Sequence, residues 1–182
     1  MEHMKNLKII LVIVMACVIN TTPILGQSRA KKNKIIADSH TAKAEFIKKD
    51  PLMKGLFEKA SGYVIFPNVG KGGIGIGGAA GNGVVYVHNN IIGMAKLSQL
   101  SIGFQAGGQA YREVIFFESK EELERFKDSR FEFAAQASAV AVTEGASANV
   151  KYTNGVMVFT MQKGGLMYEA SIGGQKFKFN KL

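Results

Sequence analysis

Cysteine is almost absent from this sequence: Cys17 is the only one in 182 residues, and histidine occurs three times. Cys17 lies in an N-terminal apolar segment expected to be removed. The mature chain then has no disulfide framework, thiolate nucleophile or cysteine metal site. Of the histidines, His40 falls on a predicted helix and His88 beside a predicted turn. No two are spaced as metal ligands, and no nucleophile sits in a recognisable local signature. Glu121, Glu122 and Glu124 form a charge run with Lys120, Arg125 and Lys127, the pattern of a solvated helix face. These absences lead to the expectation of a noncatalytic protein without a cofactor.

A long apolar run is also missing. Ile9 to Ile19 is free of charge but only eleven residues long, too short to span a bilayer as a helix. Preceded by Lys5 and Lys8 and followed by Asn20-Thr21-Thr22-Pro23, it reads as a secretory signal peptide cleaved after Gly26. The expected location is therefore outside the cytoplasm, periplasmic or envelope-associated. Acylation of Cys17 as a lipoprotein anchor is the lesser reading. Removal of residues 1–26 leaves 156 residues with 21 basic and 13 acidic side chains, a net +8. That length suits one domain with a sizeable core. Residues 27–34 (QSRAKKNK) read as a flexible basic arm ahead of a single domain over 35–182.

Two amphipathic helices are predicted first. Ile35, Ile36, Ala42, Phe46 and Ile47 recur at helical spacing, with Lys43, Lys48 and Lys49 among the polar positions. Asp50-Pro51 then reads as an N-cap and first helical residue, opening a helix through Leu52, Leu56, Phe57 and Ala60. All 20 glycines of the mature chain lie at or beyond Gly55, and from Gly62 the periodicity becomes twofold. Strands are predicted over 62–66, 73–77, 84–87, 91–94, 102–106, 114–117, 150–152, 156–161, 166–172 and 176–179. Turn residues His88-Asn89-Asn90 join one pair, and a capping box at Ser119 to Glu122 starts a short helix before Leu123 and Phe126. The expected class is α+β: a strongly curled, mostly antiparallel sheet or barrel-like core, with N-terminal helices and one inserted helix.

The glycine-rich stretch VGKGGIGIGGAAGNG (69–83) invites a nucleotide reading. Gly73, Gly75 and Gly78 spell G-x-G-x-x-G, but the following segment leads into the strand Val84 to Val87, not a helix. The ATP-type loop fails too, because Gly70-Lys71 is followed by Gly72 and not by Ser or Thr. Architectural glycines, allowing close approach or a bend, are the better account. A faint internal echo relates Gly62 to Phe66 with Lys71-Gly72-Gly73 to Gly155 to Phe159 with Lys163-Gly164-Gly165. Glycine turns carrying Lys71 and Lys163 could offer backbone N–H groups to an anion.

Taken in order, Ala60 to Pro67, glycine-rich 70–83, Ile102 to Gln109 before Val114 to Phe117, and Phe159 to Tyr168 with Lys163-Gly164 resemble the SYLF domain family. The resemblance runs from about Ile35 to the C-terminus. It implies a curled sheet flanked by helices that binds phosphoinositides or other anionic lipids. It also implies membrane contact through basic, amphipathic N-terminal segments, here Ile35 to Lys59. The actin binding of certain eukaryotic members is not expected of an exported chain.

Charge supports a membrane partner independently. Nine basic residues between Arg29 and Lys59 oppose Asp38, Glu45, Asp50 and Glu58, a local excess of five. Near an anionic surface each contributes about 1 kcal/mol, an attraction that salt removes. The expected lipid-binding residues are Lys43, Lys48, Lys49, Lys54 and Lys59, assisted by Lys71 and Lys163. Export and the lack of a binding motif argue against nucleic acid. Carriage of a small apolar ligand, or an envelope role with self-association through glycine-rich edges, stand as alternatives.

Overall fold

The computed structural model describes residues 23–74, 76–102, 109–129, 131–134, 137–163 and 169–182. Among these described residues three helices and eight strands follow in the order α1 (Pro23–Lys49), α2 (Met53–Lys59), β1 (Gly62–Ile74), β2 (Ile76–Val87), β3 (Asn90–Ile102), β4 (Gln109–Phe117), α3 (Lys120–Lys127), β5 (Ser138–Ala141), β6 (Val156–Gln162), β7 (Glu169–Ser171) and β8 (Lys176–Lys181). The chain divides between Lys34 and Ile35 into two compact units. In the first, the described residues 23–34 are helical, including the stretch 27–34 expected as a flexible arm. Most of the expected signal peptide lies outside the described residues. Its last four residues, from Pro23, are helical.

Within the second unit the strands form one sheet in the order β7-β5-β6-β4-β1-β2-β3-β8. Every pairing is antiparallel except the short β5–β6 contact. Its two edge strands, β7 and β8, are separated in sequence only by residues 172–175. A flat sheet of this width would hold its edges roughly 34 Å apart, whereas the link from Ser171 to Lys176 reaches at most about 18 Å. The sheet must curl. Glu132 bridges to Lys176 beyond the β8 edge, but the strand ladder stays open, so the class is α+β with a curled sheet and not a closed barrel.

Curling gives the sheet two buried faces, which explains the unbroken apolar runs Tyr63 to Phe66 and Val114 to Phe117. Alternate residues of β1 serve different cores: Val64, Phe66 and Val69 join Leu123 and Phe126 of α3, whereas Tyr63 and Ile65 join Ala42 and Phe46 of α1 and Met53 and Phe57 of α2. Pro67, which has no N–H to pair, sits where the β1 register shifts against both neighbours.

The glycine-rich stretch forms the long β1–β2 hairpin, in which Gly72 pairs with Gly78 and Gly73 with Gly77. Lys71-Gly72-Gly73 is thus strand, not the turn that the sequence suggested. A Cβ at Gly83 would lie 2.6 Å from the Phe66 ring and 2.7 Å from the Ile65 carbonyl oxygen, so this glycine permits a close approach. The β2–β3 turn is made by His88 and Asn89, both at positive φ (46° and 65°), as a two-residue hairpin requires.

Other expectations need correction. β5 lies in the alanine-rich stretch 134–148, where the sequence suggests no strand, and residues 150–152 are not strand. The strand expected at 102–106 lies, beyond Ile102, outside the described residues, as does 164–168. The capping box is as expected, with Ser119 Oγ accepting from the Glu122 N–H at 3.3 Å.

Candidate functional site

Helix α1 ends in Lys48 and Lys49, and α2 begins only at Met53. Asp50 shapes the intervening turn: its Oδ1 accepts from the Leu52 N–H at 3.1 Å, and Oδ2 accepts from the Ser147 N–H at 2.8 Å. This is an aspartate-closed turn that starts three residues ahead of Met53, and the N-cap position is Leu52, not the expected Asp50. Burial opposes ionisation of Asp50, but hydrogen bonds from Ser147, Leu52 and Gly145 outweigh it and hold the carboxyl below its ordinary range.

Of the apolar residues expected on α2, Phe57 and Ala60 are buried and Leu56 packs at the core margin, but Met53 is buried in place of the expected Leu52. Leu52 is 56% exposed. Leu52 with Leu56 and Met53 with Phe57 both fit a helical period, so spacing could not choose between Leu52 and Met53. The turn therefore holds an exposed leucine in a stretch whose exposed cations are Lys48, Lys49, Lys54 and Lys59. Among the described residues no ion pair is formed by these four lysines. Nearby Glu45 is bound to Arg112 at 2.6 Å, which ties α1 to β4 and neutralises that carboxylate.

Lys43 does not belong to this cationic set. It falls on the flank of the buried stripe, one turn from Ser39 and from Phe46, and is half-buried. Its ammonium donates to Tyr63 Oη at 2.9 Å and to Asn89 Oδ1 at 2.7 Å, over the rings of Phe57 and Tyr63. Burial lowers its pKa, with Glu58 partly opposing. Tyr63 stacks on Tyr86 at 4.9 Å, and both phenols are pushed upward, first by burial.

Lys71 and Lys163 lie at another place on the sheet. Lys71 pairs with Gln109, and the Lys163 N–H donates to the adjacent Ala110 carbonyl, so both flank the start of β4. Lys163 Nζ also donates to Asn68 Oδ1. From the beginning of β1, next to α2, Lys71 is nine residues along the strand, roughly 30 Å. The seven expected lysines thus fall into three groups: Lys48, Lys49, Lys54 and Lys59 at the helix junction, Lys43 inside the aromatic cluster, and Lys71 with Lys163 at the β4 start.

Among the described residues no cluster of three acidic, histidine or cysteine side chains could hold a metal, and no helix is long and apolar enough to cross a membrane. Residues 98–181 match the family model described as Ysc84, Las17-binding protein actin regulator. Beta cell expansion factor A of Aeromonas veronii is 29% identical over 161 residues, covering 86% of this chain and 61% of the relative. The chain thus spans less than two thirds of that relative's length. The matched region begins within β3, contains β4 to β8, and includes in sequence the Ile102 to Gln109 and Phe159 to Tyr168 motifs. This match agrees with the resemblance to the SYLF domain family carried by those motifs.

Proposed function

We propose that this protein is an exported, noncatalytic binding protein that docks on anionic membranes through the α1–α2 junction. The observation that carries the reading is Leu52, 56% exposed on a turn flanked by the exposed Lys48, Lys49 and Lys54. Four lysines, Lys59 included, attract anionic headgroups over a Debye length, and the leucine then has an apolar phase to enter. Lys43 is not a headgroup ligand in this scheme, since its donors are engaged inside the fold. Phosphoinositides and anionic phospholipids share the phosphate chemistry that lysines recognise, and an exported chain would meet the phospholipids. Actin is not a partner in this reading.

Flotation of the protein with neutral and with anionic vesicles across a salt series tests the proposal. Binding to anionic vesicles alone, weakened by salt, is expected. Equal binding to both, or to neither, would sink it.

A further inference from the structure

The core on the α3 side of the sheet is not sealed everywhere. Four half-buried apolar side chains pack at its margin, and three of them, Val87, Ile92 and Phe179, converge on one groove of about 370 Å³. Buried Leu123 of α3 completes the apolar floor. Gly93 keeps the Phe179 ring in place, because a Cβ there would lie 2.2 Å from it.

The rim has the opposite character. Lys120 and Lys181 are exposed and, among the described residues, form no ion pair. Lys127 is held by Glu124 at 2.7 Å, the sole acidic residue of the groove. Three cations against one anion leave the rim with an excess of two positive charges. Lysine stems often cover apolar surface with their heads in water, and that alone would explain a lysine beside a leucine. A concave apolar floor with unpaired cations at its edge instead complements one class of ligand. A larger cavity of about 650 Å³ beside Phe131 and Phe133 lacks this match, since Glu122 and Glu132 offset Arg125 and Lys151 there.

The geometry points to a binding site for a single-chain anionic amphiphile, a long-chain carboxylate, with its hydrocarbon on Val87, Ile92, Leu123 and Phe179 and its carboxylate between Lys120 and Lys181. This site is on the α3 face of the sheet, whereas Phe46 of α1 and Met53 and Phe57 of α2 pack on the other face. The two sites are therefore separate, and a loaded groove does not require a membrane.

Dodecanoate, dodecanol and butyrate titrated calorimetrically into the full chain, below micelle-forming concentrations, test the site. Dodecanoate is expected to saturate at one equivalent, dodecanol to bind roughly tenfold or more weakly for want of the charge-assisted contacts, and butyrate not to bind. In K120Q/K181Q, a surface change, dodecanoate affinity should fall to that of dodecanol while dodecanol is unaffected. Methyl resonances of Ile92 and Leu123 should shift with dodecanoate. Absence of saturation, an unchanged double variant, or shifts confined elsewhere overturns the assignment. Loss of dodecanoate binding in K48E/K49E/K54E would do so as well, by placing the ligand at the helix junction.

Discussion

The Lys43 ammonium donates a 2.9 Å hydrogen bond to the hydroxyl of Tyr63, joining α1 to the first strand of the sheet. Asn89 Oδ1 accepts from both groups at 2.7 Å, and Tyr86 stacks on Tyr63, so a charge is bound into an otherwise apolar interface. Removing the lysine leaves Asn89 and Tyr63 with one donor fewer in a half-buried site. Lys43→Ala should cost about 1–3 kcal/mol of stability in denaturant unfolding. Its flotation with anionic vesicles should match the parent protein. Reduced flotation at unchanged stability would return Lys43 to the membrane surface.

Charge reversal at the helix junction should have the converse effect. K48E/K49E/K54E removes three attractive charges worth about 1 kcal/mol each, so vesicle affinity should drop by roughly 100-fold or more at low salt. All three side chains are exposed, and the unfolding midpoint should barely move. Retained affinity would exclude this face.

Leu52→Ser separates insertion from electrostatics. An exposed leucine contributes little to folding, but burying one in an apolar phase is worth about 1.5–3 kcal/mol. The variant should keep its stability and its salt dependence while vesicle affinity falls by roughly tenfold or more. No change in affinity would mean that the turn stays outside the bilayer.

Glu113 provides a pH test of the core. It is fully buried on β4, accepts one hydrogen bond, from Gln175 Nε2 at 3.1 Å, and leaves Oε1 unpartnered. Burial, partly offset by Gln175, pushes its pKa from 4.5 up to about 8. Between those values the folded state keeps a proton that the unfolded chain has lost, so stability falls as pH rises and levels off above the folded pKa. Glu113→Gln should abolish this slope and be more stable than the parent at pH 7 by a few kcal/mol, with a smaller difference at pH 5. Parallel stability profiles for the two proteins would show that Glu113 is ionised in the fold.

Gly83→Ala tests the architectural account of the glycine-rich stretch. The added methyl would meet the Ile65 carbonyl oxygen, which is backbone and cannot step aside, as well as the Phe66 ring. Destabilisation of about 1–3 kcal/mol is expected in thermal or denaturant unfolding. A neutral outcome would mean that β1 and β2 can separate locally at no cost.

The sequence by itself determined what depends on neighbours along the chain. Helical spacing in Ile35 to Ile47, the Ser119 capping box, the His88-Asn89 turn and the switch to twofold periodicity at Gly62 all follow from local backbone and side-chain rules. The ordered motifs that carry the resemblance to the SYLF family were legible for the same reason. Tertiary structure decided the rest. Short β5 has too weak a local signal to stand out in an alanine-rich segment, and it exists because β6 and β7 flank it. Leu52 and Met53 were equivalent by spacing until Asp50 closed the turn and one of them had to face outward. Lys43 looked like its neighbours in the basic stretch, but Tyr63 and Asn89 lie 20 and 46 residues away in sequence. Only the curl of the sheet and the docking of α1 on it brought those partners within hydrogen-bonding reach, which turned one lysine of a charged run into part of the core while its exposed neighbours remained free for a surface.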